Sequence, residues 1–273
     1  MEDIIKLNNI NYSYYGKIPA LVDVNLSVKR GEMFSVIGLN GSGKSTLLHI
    51  INALIFSNSG EVLFEGSPVT EKSLQDRIFG MQFRQRMGYI FQNTDIQLFC
   101  PTVFDELMFA PLQLNLAVEI AQERAEQTLS YLGIGSLKDR PIYMLSGGEK
   151  KKVAIASVLT LNPDVLLIDE PLASLDPKTQ TFFIELLLEI NHAGKTIIFT
   201  THHLDLIDHL QPRVAVLSED HTIRKTGTAT EILGDEKLLI DVGLIHEHIH
   251  KHGNEEHAHY HSHYVFHKHV KKI

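Results

Sequence analysis

Residues 38–46 read GLNGSGKST and fit the spacing G-x-x-x-x-G-K-[ST] at Gly38, Gly43, Lys44 and Ser45. No other stretch restricts the fold so tightly. Small residues let successive backbone N–H groups close around phosphate oxygens, with a strand to deliver the loop and a helix N-terminus aimed at the anion. Lys44 is placed to reach the terminal phosphates, and the Ser45 hydroxyl to ligate Mg²⁺. Asn40, Gly41, Ser42 and Thr46 complete the loop. Both flanks fit: residues 33–37 (MFSVI) are a short apolar run, and 47–56 continue as an apolar helical pattern. A glycine-rich turn without a ligand is the alternative, and this context argues against it.

The rest of the chain alternates. Residues 4–10, 21–28, 61–64 and 87–91 read as strands, and 102–160 switches to helical periodicity. Strand patterns return at 165–168, 196–199 and 213–217, with a helix over 178–192 between the first two. This predicts an α/β fold with a mostly parallel sheet and a helical insertion. No apolar run approaches the roughly 18–20 residues needed to span a bilayer, and the acidic start MEDIIKLNNI is no secretory signal. With 25 Lys+Arg against 33 Asp+Glu, the formal charge of −8 argues against a nucleic-acid partner. The single Cys100 cannot form an intramolecular disulfide, which points to a reducing compartment.

Residues 165–170 (VLLIDE) supply what a phosphate loop needs next. An apolar strand ends in Asp169, suited to the Mg²⁺ shell, and Glu170, suited to taking a proton from an attacking water. Upstream, Leu145-Ser146-Gly147-Gly148-Glu149 opens a helical pattern. It reads either as a capping box between Ser146 and Glu149 or as a second anion site at a helix N-terminus.

Taken in order, these motifs resemble the ATP-binding subunit of ATP-binding-cassette (ABC) transporters over roughly residues 4–235. GLNGSGKST matches Walker A, LSGGE the signature and VLLIDE Walker B. Ser174-Leu175-Asp176 stands at the D-loop, with Asp176 its acidic residue. His202 stands at the switch histidine and Gln92 at the Q-loop glutamine. Tyr14 has the spacing of the aromatic that stacks on adenine. The resemblance implies a P-loop (RecA-like) core over 1–245 with a helical subdomain near 93–160, binding ATP and Mg²⁺. It implies that Ser45, Gln92 and Asp169 hold the Mg²⁺. Two cassettes would pair head to tail, so that Ser146, Gly147, Gly148 and Glu149 of one serve the nucleotide of the other. Glu170 would act on the water, His202 would bridge it to the γ-phosphate, and integral membrane subunits would complete a transporter at the cytoplasmic face. The chain departs from common relatives at Lys151 and Lys152, where Gln-Arg is frequent, and at His203, where Asp is.

Residues 91–111 (FQNTDIQLFCPTVFDELMFAP) further resemble energy-coupling-factor and cobalt/nickel-type importers, where FQNPDDQLF…TV…D…FGP is typical. Phe91, Gln92, Asn93, Asp95, Gln97, Leu98, Phe99, Thr102, Val103, Asp105, Phe109 and Pro111 match, while Thr94, Ile96 and Ala110 depart. In those importers the segment grips a helix of the membrane subunit.

The composition breaks at the end. Of sixteen His, ten fall in residues 246–273. His246, His248, His250 and His252 alternate, as do His257, His259, His261 and His263; His267 and His269 follow. In an extended chain, alternate residues share a face, and imidazoles there can chelate Ni²⁺, Co²⁺ or Zn²⁺. A solvated, mildly basic, flexible tail without a metal role is the plainer reading. Together the clues point to the ATPase of a nickel or cobalt importer. The alternatives are a vitamin-type energy-coupling transporter, a soluble ABC protein, or a metal-storage protein.

Overall fold

The strand sequences MFSVI, VLLID and TIIFTT are buried at every position. Parallel strands covered by helices on both faces require such continuous apolar runs. The computed structural model describes residues 2–252 and 255–262. The chain runs β1 (Asp3–Tyr14), β2 (Ile18–Lys29), β3 (Met33–Ile37), α1 (Lys44–Ile51), β4 (Ser59–Phe64), β5 (Ser67–Pro68), α2 (Glu71–Gln75), α3 (Arg77–Arg86) and β6 (Met87–Ile90). Three helices follow, α4 (Val103–Gln113), α5 (Val118–Tyr131) and α6 (Gly147–Leu159). Then come β7 (Val165–Asp169), α7 (Pro177–His192), β8 (Thr196–Thr201), α8 (Leu204–Leu210), β9 (Arg213–Leu217), β10 (Ile223–Thr228), α9 (Ala229–Leu233) and α10 (Glu236–Asp241).

The central sheet has the order β10-β9-β3-β8-β7-β6. It is parallel except for β10, which pairs antiparallel with β9. The α/β architecture is therefore the expected one, with a correction to the strand reading. β1, β2 and β4 do not join this sheet but form, with β5, a separate antiparallel sheet in the order β2-β1-β4-β5. The connection from β1 to β2 is three residues, which suits a hairpin and cannot carry a parallel crossover. Sequence patterning also misses α3, whose stretch RIFGMQFRQR buries only Gly80 and Phe83.

Two apolar cores flank the central sheet. On one side Ile4, Leu7, Ile10 and Val24 of the antiparallel sheet close over Leu47, Leu48 and Ile51 of α1. On the other, α4 to α7 pack their apolar faces, with Ala121 and Ala125 letting α5 approach closely. The end of the folded body is anchored by the phosphate loop. A Cβ on Gly243 would lie 2.8 Å from Leu39 Cδ1, and Leu244 and Ile245 are buried beyond it.

Where the sequence reads as a flexible tail, the backbone is paired as β11 (Ile245–His252) and β12 (Glu255–Ser262). The register sets His246 opposite His261, His248 opposite His259 and His250 opposite His257. Gly253-Asn254, between the strands in sequence, is a two-residue hairpin signal. His263, His267 and His269 lie outside the described residues.

Candidate active site

Adjacent strands β3, β8, β7 and β6 all end at the same edge of the parallel sheet, where ligands of open α/β sheets bind. The phosphate loop follows β3, His202 follows β8, Glu170 follows β7, and Gln92 lies two residues beyond β6. The fold thus brings together residues up to 164 positions apart (38 to 202).

The loop is built so tightly that two of its glycines are obligatory. A Cβ on Gly38 would stand 2.2 Å from the Leu217 carbonyl oxygen. One on Gly43 would stand 2.1 Å from that of Ala20, and Gly43 has φ +110. Lys44 is buried, and its ammonium donates to the carbonyls of Gly38 at 2.9 Å and Leu39 at 3.1 Å. Burial pushes its pKa down, and the carboxylates of Glu170 and Asp169 oppose that shift. A cavity of about 550 Å³ opens over the loop, walled by Asn40, Gly41, Gly43, Lys44, Ser45 and Thr46. Tyr14, Gln92, Glu170 and His221 line it as well. Tyr14, and not the exposed Tyr15, takes part, with its hydroxyl 3.0 Å from Thr46 Oγ1. Ser42 is buried behind the wall.

The carboxylates are organised by a residue the sequence did not single out. Thr200 Oγ1 donates to Asp169 Oδ1 at 2.5 Å and accepts from the Glu170 backbone N–H at 3.2 Å. Glu170 is 4% exposed and has φ +46, a left-handed conformation costly for a non-glycine residue and characteristic of functional sites. Its Oε1 lies 2.8 Å from His202 Nδ1 and 3.8 Å from Lys44 Nζ. Its Oε2 is buried with no hydrogen-bond partner among the described residues. A buried, orphaned carboxylate oxygen facing a phosphate-sized loop suits a water or metal-bound water, and Asp169 with the Ser45 hydroxyl is a hard oxygen set of the kind Mg²⁺ takes. His221 also went unread: its Nδ1 is 2.9 Å from the Ser42 carbonyl oxygen, bracing the loop from the β9–β10 turn. Only its side-chain position could have revealed it.

The signature stands apart. Ser146 caps α6 in a capping box: Glu149 Oε2 accepts from Ser146 N and Oγ at 2.8 Å, which holds the Glu149 carboxyl below its ordinary range. Ser146 and Gly147 are exposed, and neither they nor Gly148 line the chain's own nucleotide cavity. Asp176 caps α7, accepting from Thr179 N at 3.1 Å and Thr179 Oγ1 at 2.6 Å. Gln92 lines a second cavity too, of about 280 Å³, beside Gly147, Lys151 and Ser174. Lys151 is buried, donates to the Phe91 carbonyl at 3.2 Å, and is pushed down to about 8 by desolvation. Lys152 lies 4.0 Å from the Phe182 ring centre, a cation–π contact.

The 91–111 segment has a buried support that sequence reading passed over. Glu106 is 4% exposed, and its Oε2 accepts from Phe99 N at 3.0 Å and Cys100 N at 2.9 Å. Gln97 pins the other end, accepting from Phe91 N and donating to the Ala154 carbonyl. Between them the exposed rings of Phe99 and Phe109 meet edge to face at 4.8 Å.

Known proteins resemble the chain over most of its length. Residues 21–173 match the family model described as ABC transporter. The chain is 47% identical over 256 residues to a protein of Methanosarcina acetivorans named as an ABC transporter ATP-binding protein, covering 93% of each. It is 43% identical over 243 residues to the nickel import ATP-binding protein NikO of Rhodobacter capsulatus, covering 88% of this chain and 94% of that one. Among solved structures, CbiO1 of Clostridium perfringens, part of the transporter complex CbiONQ, superposes with a TM-score of 0.76 at 35% identity. That alignment covers 89% of this chain and 96% of the other.

Proposed function

The chain belongs to the ABC transporter family as an ATP-hydrolysing subunit, and from that premise we propose that it drives the import of a transition-metal ion, nickel first and cobalt second. The observation that carries the reading is the coincidence of two independent features. The docking segment 91–111 has the importer pattern, and the His-rich strands follow the cassette. The identity to a nickel import ATPase supports the same ion.

Hydrolysis is assigned to the residues at the sheet edge. Lys44 and the loop N–H groups hold the β- and γ-phosphates, and Tyr14 stacks on the base. Mg²⁺, held by Ser45, Asp169 and Gln92, would neutralise phosphate charge. Glu170 takes the proton of the attacking water as its oxygen bonds to the γ-phosphorus and the bond to the β–γ bridging oxygen breaks. His202 holds that water and the γ-phosphate in register. The chain's own cavity lacks a signature wall, so the exposed Ser146–Glu149 turn of a second copy supplies it in trans, with Asp176 at the seam. ATP binding closes the pair and product release opens it.

Among the described residues no helix is long and apolar enough to cross a membrane. The membrane path therefore belongs to partner subunits, gripped at the Phe99–Phe109 face, with this chain peripheral on the cytoplasmic side. The β11–β12 register places His246, His248, His250, His257, His259 and His261 at positions sharing one face of the ribbon. Such a row suits borderline d-block cations, Ni²⁺, Co²⁺ or Zn²⁺. It would hold the ion near the transporter.

The test is uptake of labelled Ni²⁺ by intact cells carrying the natural gene or Glu170→Gln, with unlabelled Co²⁺ and Zn²⁺ as competitors. Loss of uptake in the mutant is expected. Unchanged uptake with normal protein level would overturn the nickel reading and move a vitamin-type energy-coupling transporter to the front.

A further inference from the structure

One group of side chains at the sheet edge has a chemistry that ATP hydrolysis does not call for. Glu170, His202 and His203 each offer a ligand atom, and these atoms lie within 4.8 Å of one another. The imidazole rings of His202 and His203 are 4.2 Å apart, tilted by 35°. A tetrahedral site with bonds of about 2.1 Å holds its ligand atoms about 3.4 Å apart, a spacing bracketed by the 2.8 Å Glu170–His202 contact and the 4.8 Å span of the three ligand atoms. Two nitrogens and one carboxylate oxygen form a donor set for Zn²⁺ or Ni²⁺ and not for Mg²⁺, which prefers oxygen alone.

We propose that Glu170, His202 and His203 form a binding site for a divalent transition-metal ion, separate from the Mg²⁺ position, whose occupation stops ATP hydrolysis. The proposal rests on the assignment of Glu170 and His202 to hydrolysis, and does not depend on which solute is transported. An ion there would engage both groups that handle the water. Hydrolysis would then fall as free metal on the nucleotide side rises. His203 is the residue that makes the site. It starts α8 without capping it through its side chain, and its backbone N–H donates to Thr201 Oγ1 at 3.1 Å. The two cations near Glu170 act against the ion: Lys44 lies 3.8 Å away, and Lys151 feels both Asp169 and Glu170. The Asp169 carboxylate offsets part of that charge.

The experiment uses the full chain with buffered free Zn²⁺ and two readouts. The first is modification of histidines by diethyl pyrocarbonate, read by mass spectrometry on the tryptic peptide 196–213. That peptide excludes the His-rich end and contains exposed His209 as an internal reference. Zn²⁺ should slow modification of His202 and His203 at least about fivefold and leave His209 unchanged, and Glu170→Gln should weaken the protection. The second is inhibition of Mg-ATP hydrolysis. His203→Asn, a residue type suited to a helix N-cap position, should hydrolyse ATP normally and need on the order of tenfold more Zn²⁺ for half inhibition, the scale of losing one determinant of a metal site. Equal protection of His209, no protection at all, or an unshifted Zn²⁺ requirement in His203→Asn would each overturn the proposal. The footprint is read without nucleotide, so a failure of the hydrolysis assignment shows as protection without inhibition.

Discussion

The hydroxyl of Thr200 donates to Asp169 Oδ1 at 2.5 Å, from a neighbouring strand and wholly inside the protein. The same oxygen accepts the backbone N–H of Glu170, so one side chain orients both acidic residues. Thr200→Val keeps the shape and removes both bonds. The Mg²⁺ concentration for half-maximal hydrolysis should rise about 10–100-fold, as for other outer-shell partners of metal ligands. A titration of ATPase rate against Mg²⁺ measures it, and an unchanged midpoint would refute the orienting role.

Glu170→Gln removes a base while keeping the side chain's volume. Hydrolysis should fall by about 10²–10⁴ while ATP binding persists, because the phosphate contacts come from the loop. Steady-state rates together with equilibrium binding of a fluorescent ATP analogue separate the two effects.

Gly43→Ala places a methyl 2.1 Å from the Ala20 carbonyl oxygen at φ +110. Strain and overpacking together should cost about 2–6 kcal/mol, and nucleotide binding should be lost. Gly41→Ala, with no atom within 4 Å of the added carbon, should be milder. Equal damage from the two in denaturant melts would contradict the packing argument.

Lys151 gives a pH dependence with a definite sign. Its folded pKa is pushed down from 10.5 to about 8 by desolvation. Below pH 8 the folded chain carries a buried ammonium at a constant cost. Between about 8 and 10.5 the folded state has released that proton while the unfolded state still binds it, so stability rises with pH. Relative to Lys151→Gln, the natural chain should gain on the order of 3 kcal/mol across this window. Parallel curves for the two proteins in urea melts at pH 7 to 10.5 would exclude it.

Glu106→Leu strands the N–H groups of Phe99 and Cys100. A loss of about 2–3 kcal/mol is expected, and under the docking proposed above co-purification of membrane subunits should weaken. Stability without capture would separate packing from docking.

Motifs fixed by chemistry at short spacing were legible in the sequence. Gly38 to Thr46 and the Ser146–Glu149 box announce themselves because backbone geometry or capping demands those residue types locally, and Asp169 and Glu170 because two acids close an apolar strand. What could not be read were side chains whose value depends on a distant partner. Thr200 is an ordinary β-branched residue until Asp169 lies beside it. His221 is a turn residue until the Ser42 carbonyl arrives, and Glu106 is one more acid on α4. The split into two sheets was hidden for a similar reason, since β1 and β2 have strand composition and composition does not choose partners.

The packing of Gly243 on Leu39 roots the histidine ribbon directly on the phosphate loop. A strand of eight residues at about 3.3 Å each reaches roughly 26 Å, so every position of β11 lies within that reach of its root. Any side chain at position 243 would press on Leu39 Cδ1 and strain a backbone held at φ +73. The phosphate loop and the start of the C-terminal segment are thus packed as neighbours, and a single glycine keeps them so.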